Sequence, residues 1–286
     1  MGFANVRDLV DATLAGQGTF YSWRKSPSQA STANVWFDMS MSPGNPVPQY
    51  YAAAPLVGVP LSQSVDGGIP HGGNVAGVKH LKSFTALATA VTALPMPMIL
   101  CDYLLFYPFI DEGSTDPQPL VNNIALPRYP DGEGVQIMAV SVAGRTGGQT
   151  FQVTYTNSDG VSDRLSQVVI QNTAPANGTI VSSGAAGTRS MGPFIGLQGN
   201  DTGVRSIESV QMISGTDVGL FSLVLVQPIA QSHILGIDAV VECNYFTDYN
   251  LFPVIKNDAY LSLICNPRGT LAATAIHGTI ETVWSN

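Results

Sequence analysis

From Lys79 to the last residues the chain is written in short runs rich in β-branched, aromatic and aliphatic residues, one about every ten to fifteen residues, divided by Gly, Asn, Asp and Pro. The runs read KHLKSFTAL, MILCDYLLFYPFI, VQIMAVSVA, QTFQVTYT, RLSQVVI, NGTIVSS, VRSIESVQMI, GLFSLVLVQPI, AYLSLICN and HGTIETVW. Spacing of this kind leaves no room for crossover helices, so it predicts an all-β fold, an antiparallel β-sandwich or jelly-roll-like body. In QTFQVTYT, Phe151, Val153 and Tyr155 alternate with Gln152, Thr154 and Thr156, the pattern of a strand with one buried and one wet face. The Asn157-Ser158-Asp159-Gly160 that follows is turn chemistry, and together they predict a hairpin. GLFSLVLVQPI and MILCDYLLFY are almost continuously apolar, so both faces of those strands must be covered. The seven-glycine stretch from Ala174 to Gly203 reads as a strand flanked by loops.

The first 78 residues read differently. Phe3, Val6, Val10 and Leu14 fall at i, i+3, i+7 and i+11 with Arg7, Asp8 and Asp11 between them, which predicts a short amphipathic helix stopped by Gly16 and Gly18. A polar stretch from Ser26 to Thr32 and the proline-rich segment Pro43 to Pro60 predict extended arms, since proline cannot donate to a ladder. The expected division is therefore a helix and arms over residues 1–78 and a β body over residues 79–286. Docking is expected through Phe3, Val6, Val10 and Leu14 of the helix and Pro46, Pro48, Tyr50 and Tyr51 of the arm, and removal of residues 1–60 is expected to leave a soluble body.

Composition narrows the function classes. Asp, Glu, Lys and Arg make up 11% of the chain and hydrophobic residues 45%, against roughly 25% charged residues in ordinary soluble domains. A surface short of charge points to an uncharged polar skin or to neighbours, hence to an assembly component and a homo-oligomer. The 12 basic residues are scattered in a chain of net charge −8, which argues against a nucleic-acid groove. No secretory signal is read at the start, and MPMILCDYLLFYPFI, with Asp102 and two internal prolines, falls short of the ~20 apolar residues of a membrane helix. Cys101, Cys243 and Cys265 sit in apolar runs and read as free buried thiols.

No constellation of catalytic residues stands out. His71-Gly72-Gly73-Asn74 has the form of an esterase oxyanion loop, but no G-x-S-x-G elbow accompanies it, so a glycine-rich loop is the better reading. His71, His80, His233 and His277 lack metal-ligand spacing. Asp111, Glu112, Asp116, Asp131 and Glu133 read as turn residues rather than a calcium loop. Tyr50, Tyr51, Tyr245, Phe246, Tyr249 and Phe252 read as packing aromatics before they read as a sugar platform. Catalytic residues, cofactor and metal ligands are each assigned to none.

GFANVRDLVDA, ANVWFDMS, CDYLLFYPFID, LPRYPDGEGVQIMAV, DTGVRSIESV and the closing HGTIETVW resemble a group of tailed-bacteriophage proteins, mostly uncharacterised or virion structural proteins, along the whole chain. The resemblance carries no catalytic motif. It implies a non-enzymatic particle component, located in the virion after assembly in the host cytoplasm, and transfers no site residues. Within that class the expectation is a capsid cement or decoration protein with the major capsid protein among its partners and with no membrane or nucleic-acid role. Alternatives are a tail, connector or baseplate protein, or a carbohydrate-binding receptor protein.

Overall fold

The computed structural model describes residues 3, 5–89, 91–184, 191–214, 218–248 and 252–285. Three antiparallel sheets and one short helix make up its regular structure. Sheet I runs in the order β14 (Val241–Asn244), β5 (Lys79–Ala88), β17 (Ile276–Trp284), β1 (Gly18–Lys25) and β3 (Gly44–Asn45), with β15 (Val254–Ile255) also on β5. Sheet II runs β2 (Phe37–Asp38), β16 (Leu261–Cys265), β6 (Met96–Asp111), β13 (Leu220–Ile234) and β8 (Gln136–Ser141), with β4 (Val59–Pro60) on β6. Sheet III runs β10 (Arg164–Leu165), β9 (Thr150–Asn157), β12 (Val204–Ser214) and β7 (Gln118–Pro119), with β11 (Val169–Ile170) on β9. The all-β reading of the sequence is thus what the chain forms.

Sheet II is the central layer because its two long strands carry apolar residues on both faces. On one face, Met96, Met98 and Leu100 of β6 and Ile234 of β13 pack with Trp23, Phe84 and Ile280 of sheet I. Farther along that face, Leu104, Ile110, Phe221 and Leu223 pack with Phe151, Val153 and Tyr155 of sheet III. The opposite face, with Cys101, Tyr103, Phe106, Val224 and Val226, packs with Met41, Tyr51 and Leu61. The continuously apolar strands are therefore covered twice, as their composition required. In β9, Phe151, Val153 and Tyr155 are buried while the alternate residues are not, and Gly160 makes the hairpin turn at φ +80°, where a side chain would be strained.

Part of the glycine-rich stretch has an unexpected task. Thr179 receives the N–H of Ser141 from β8 and Gly178 receives the N–H of Asp38 from β2, while Ile180 donates to Trp36 and Val181 to Ala139. Residues 178–181 thus bridge the two outer edges of sheet II and cover them. Gly178 is required there: at φ +93° a Cβ would run into the Phe37 ring.

The structure corrects the picture of a removable N-terminal region. All eight residues of β1 pair with β17, and the proline-rich arm lies inside the layer that covers sheet II. Deleting residues 1–60 would strip a strand from sheet I and bare an apolar face of sheet II, so it would not leave a soluble body. Chain on both sides of residue 78 shares sheets I and II.

The helix α1 spans Val6–Leu14, capped by the Asn5 side chain accepting the Asp8 N–H at 3.1 Å and ended by Gly16 at φ +71°. Phe3 lies before it. Ala12 is its buried residue, because close approach to β17 needs a small side chain, and Val6, Val10 and Leu14 are 75%, 49% and 81% exposed.

Candidate functional site

Two buried opposite charges hold the arm. Asp38, at the end of β2, is fully buried, and its carboxylate accepts from the Tyr51 hydroxyl at 2.5 Å, the Tyr103 hydroxyl at 2.7 Å, and the Ser40 hydroxyl and N–H at 2.7 and 2.9 Å. Tyr103 belongs to sheet II and Ser40 to the turn just after β2, whereas Tyr51 belongs to the arm, so a single carboxylate ties sheet and arm together. Burial raises its pKa, opposed by the hydroxyls that bond to it. On the other side of the arm, Lys25 of β1 sends its ammonium into the carbonyls of Ser40, Ser42 and Val47 at 3.4, 3.2 and 3.3 Å. Burial pushes the pKa of Lys25 down to about 8, and the nearby Asp38 partly restores it. An arm without ladder partners for most of its backbone satisfies its carbonyls this way.

A second lysine does the same at the glycine loop. Lys79 donates to the carbonyls of Gly72 and Gly73 at 3.3 and 2.8 Å and lies 3.1 Å from His71 Nδ1, while His71 Nε2 is 2.9 Å from the Ala259 carbonyl. The loop therefore turns carbonyl oxygens, not amides, toward the charged group, the reverse of an oxyanion hole. Burial, with Lys79 beside it, lowers the pKa of His71 to about 4, so His71 is neutral at pH 7.

Further buried or half-buried ion pairs are also bonded within the protein. Arg128 makes a two-pronged bond to Asp102 at 2.7 and 2.8 Å, and burial still pushes the pKa of Asp102 up to about 6. Arg145 bonds to Glu112 at 3.0 Å inside the protein, and Arg164 holds Asp201 beside Tyr155. Among the described residues no three His, Cys, Asp or Glu side chains come together as metal ligands. Cys101, Cys243 and Cys265 are buried free thiols. Asp111 caps a turn through the Gly113 N–H, and Glu133 accepts from Thr202.

Beside its surface charges, the protein also offers exposed apolar groups to the outside. Val6, Val10 and Leu14 form an open stripe along α1, with Phe20 of β1 62% exposed nearby in sequence. Phe3 does not join this stripe. It is half-buried against His80 and Phe246, with ring centroids 5.6 and 6.2 Å away, and Phe246 packs on Phe252 at 4.5 Å. These rings face one another rather than presenting a flat platform; Tyr249 lies outside the described residues, and Tyr245 is buried. In the arm, Tyr50 stands out with Val47 beside it, and Pro46 and Pro48 are half-buried. Tyr51, adjacent in sequence, is wholly buried and bonded to Asp38, so it serves the arm's own anchorage. Tyr50 borders a recess of about 180 Å³ with Phe37, Met41, Val142, Gln29 and Asn177. The eight residues singled out from sequence thus separate into an exposed helix stripe, an aromatic contact, an arm surface and an internal anchor.

Sequence reasoning missed Asp38, Lys25 and Lys79. A carboxylate in WFDMS and lysines in strands ending or beginning a run were the available signal, since charges in otherwise apolar strand segments must find partners.

No protein family matches the chain, and no curated protein matches it. Among solved structures, the Gx strain of infectious bursal disease virus is similar at a TM-score of 0.17 and 10% identity over 94% of this chain and 81% of the other. The Gt strain gives a TM-score of 0.16 at 10% identity over 94% and 82%. The VP2 subviral particle of that virus gives 0.11 at 11% identity over 93% and 64%. Superpositions this loose carry no argument.

Proposed function

We propose that this protein is a non-enzymatic structural component of a bacteriophage particle, attached to the shell as a cement or decoration subunit. The observation that carries the reading is the division of its chemistry. The ion pairs and carboxylate networks described above are largely turned inward and bonded to the protein itself, whereas α1 leaves an apolar stripe uncovered. An enzyme needs reactive groups within reach of a substrate. A docking subunit needs apolar area at its surface and a body rigid enough to hold it there. The sequence resemblance to phage virion proteins supports the same reading, and so does the shortage of surface charge.

Attachment falls to exposed groups: Val6, Val10 and Leu14 on the helix, and Val47 and Tyr50 on the arm. Serine at the three helix positions is expected to leave the circular dichroism unchanged and to abolish binding to particles that lack this protein. Quantitative mass spectrometry of purified virions supplies the copy number. Symmetry makes hundreds of copies the mark of a shell subunit and about six to a dozen the mark of a tail or connector. Absence from purified virions would refute the proposal altogether.

A further inference from the structure

The edge of sheet I is open along most of β1. The short strand β3 pairs only with Arg24 and Lys25, leaving Gly18–Trp23 without a strand on that side among the described residues. Which residues face the gap follows from the bonds at either end. The Ser26 N–H donates to the Pro43 carbonyl on the β3 side, whereas the Gln17 carbonyl accepts from Trp284 on the β17 side. Backbone groups alternate along an antiparallel strand, so Gly18, Phe20 and Ser22 point their N–H and C=O groups into the gap. A long 3.5 Å contact from the Asn45 amide to the Ser22 carbonyl is the side-chain bond recorded there.

Other edges of the protein are guarded. Residues 178–181 cover β8 and β2, sheet III ends in a two-residue strand containing Pro119, and β14 is four residues long and carries Glu242. Natural sheets blunt their edges with such devices to prevent association. On Gly18–Trp23 there is no proline or charge and, among the described residues, no covering segment, and Phe20 stands 62% exposed at its centre.

We propose that this edge pairs with the same edge of a second copy, joining two sheets I across a two-fold axis at Phe20. A two-fold axis perpendicular to the sheet keeps its faces in register, so only residues of the same parity meet. Centring on Phe20 sets it against the partner's Phe20 and sets Gly18 against the partner's Ser22, which pairs every free backbone group of the three residues on both copies. Centring on Ser22 would require Arg24, already occupied by β3. Centring on Gly18 would leave Phe20 and Ser22 unpaired.

Charge and area favour a second copy as the occupant. Each copy carries a net charge of −8, yet residues 12–23 contain no charged side chain and Glu281 opposite Phe20 is paired with Lys82, so the two edges meet without bringing unpaired like charges of these segments face to face. A strand edge alone falls short of the roughly 800 Å² per partner of a stable interface. The α1 helix lies over the same face as Phe20: Thr13 and Gly16 share a recess with Phe20, Lys82 and Glu281. The end of α1 at Thr13 and Gly16 therefore adds contact area beside the joined strands, leaving the exposed stripe of Val6, Val10 and Leu14 for attachment. This inference stands independently of the particle assignment.

The test is the mass of the free protein by native mass spectrometry and multi-angle light scattering at micromolar concentration. Wild type is expected at twice the chain mass. Phe20→Lys, which puts charges face to face on the axis, is expected at the single-chain mass with unchanged circular dichroism. A monomeric wild type, or a Phe20→Lys variant that stays dimeric, overturns the proposal. Phe20→Cys decides the matter should the lysine variant fail to fold. Hydrogen-bonded antiparallel neighbours have Cα atoms about 5.5 Å apart, within disulfide reach. Mild oxidation is therefore expected to link two copies of Phe20→Cys and not of Tyr50→Cys; no link, or equal linking at both positions, overturns the pairing.

Discussion

Replacing Asp38 by alanine removes the acceptor that four donors share. The hydroxyls of Tyr51 and Ser40 are 2.8 Å apart and can bond each other, one donating and one accepting, which leaves the accepting hydroxyl's own O–H, the Tyr103 hydroxyl and the Ser40 N–H stranded in a dry interior. An unsatisfied buried group costs about 1–3 kcal/mol, so three of them cost about 6 kcal/mol. The Lys25 ammonium also loses the carboxylate that steadies it. Against a total stability of about 5–15 kcal/mol for a folded domain, that loss is large. Asp38→Asn keeps an acceptor oxygen and supplies an N–H pair to the hydroxyl oxygens, and is expected to cost about 1 kcal/mol. Urea denaturation followed by tryptophan fluorescence gives both values, and limited proteolysis locates the damage, with new cleavage expected between Pro43 and Tyr50 in the alanine variant. An alanine variant within about 1 kcal/mol of wild type, or an asparagine variant as damaged as the alanine one, would refute the account of the carboxylate as the arm's anchor.

Gly278→Ala places a methyl group against the Thr85 carbonyl and the Trp23 indole in the middle of sheet I; a loss of about 3 kcal/mol is expected from overpacking, visible as a lower melting temperature, and an unchanged melting temperature contradicts the packing described. His71 titrates near 6.5 when unfolded and about 4 when folded, so the unfolded chain takes up its proton first as pH falls. The stability His71 leaves intact above pH 6.5 is thus lost toward pH 4, and wild type should lose up to about 3 kcal/mol relative to His71→Gln across that window, whereas a pH-independent gap between the two sinks this reading. Serine at Val6, Val10 and Leu14 touches only exposed positions, so each change should shift stability by no more than about 0.5 kcal/mol; a collapse in melting temperature would mean that the stripe is covered within the monomer.

The sheets were legible because a strand's burial is written in its own residues. Alternation in β9 and unbroken apolarity in β6 and β13 announced one covered face and two. The sequence did not tell which layer covers which face, because apolar matching is non-directional and many pairings satisfy it. The arm illustrates this: proline excluded it from a ladder, which is correct for most of its length, yet nothing local revealed that Tyr51 turns inward while Tyr50 turns outward. That difference is made by Asp38, brought to Tyr51 by β2, and by Tyr103, far along the chain. The helix periodicity was real, but its apolar stripe points away from the protein, since propensity and pattern do not record which side of a helix finds a neighbour. Lys25 and Lys79 drew no reading beyond their place among the scattered basic residues, because their carbonyl partners lie on loops that the sequence cannot position.

The pairing of β1 with β17 joins two strands far apart in the chain. A chain emerging from the ribosome makes Gly18–Lys25 early and must wait for Ile276–Trp284 before that strand finds its ladder. Until then one edge of β1 is bare along its whole length, and β5 lacks the strand that joins it to β1. Contacts this distant are slow to close, and unpaired strands attract other chains while they wait. Completion of sheet I therefore waits for Ile276–Trp284: a chain cut before them leaves β1 without its ladder partner.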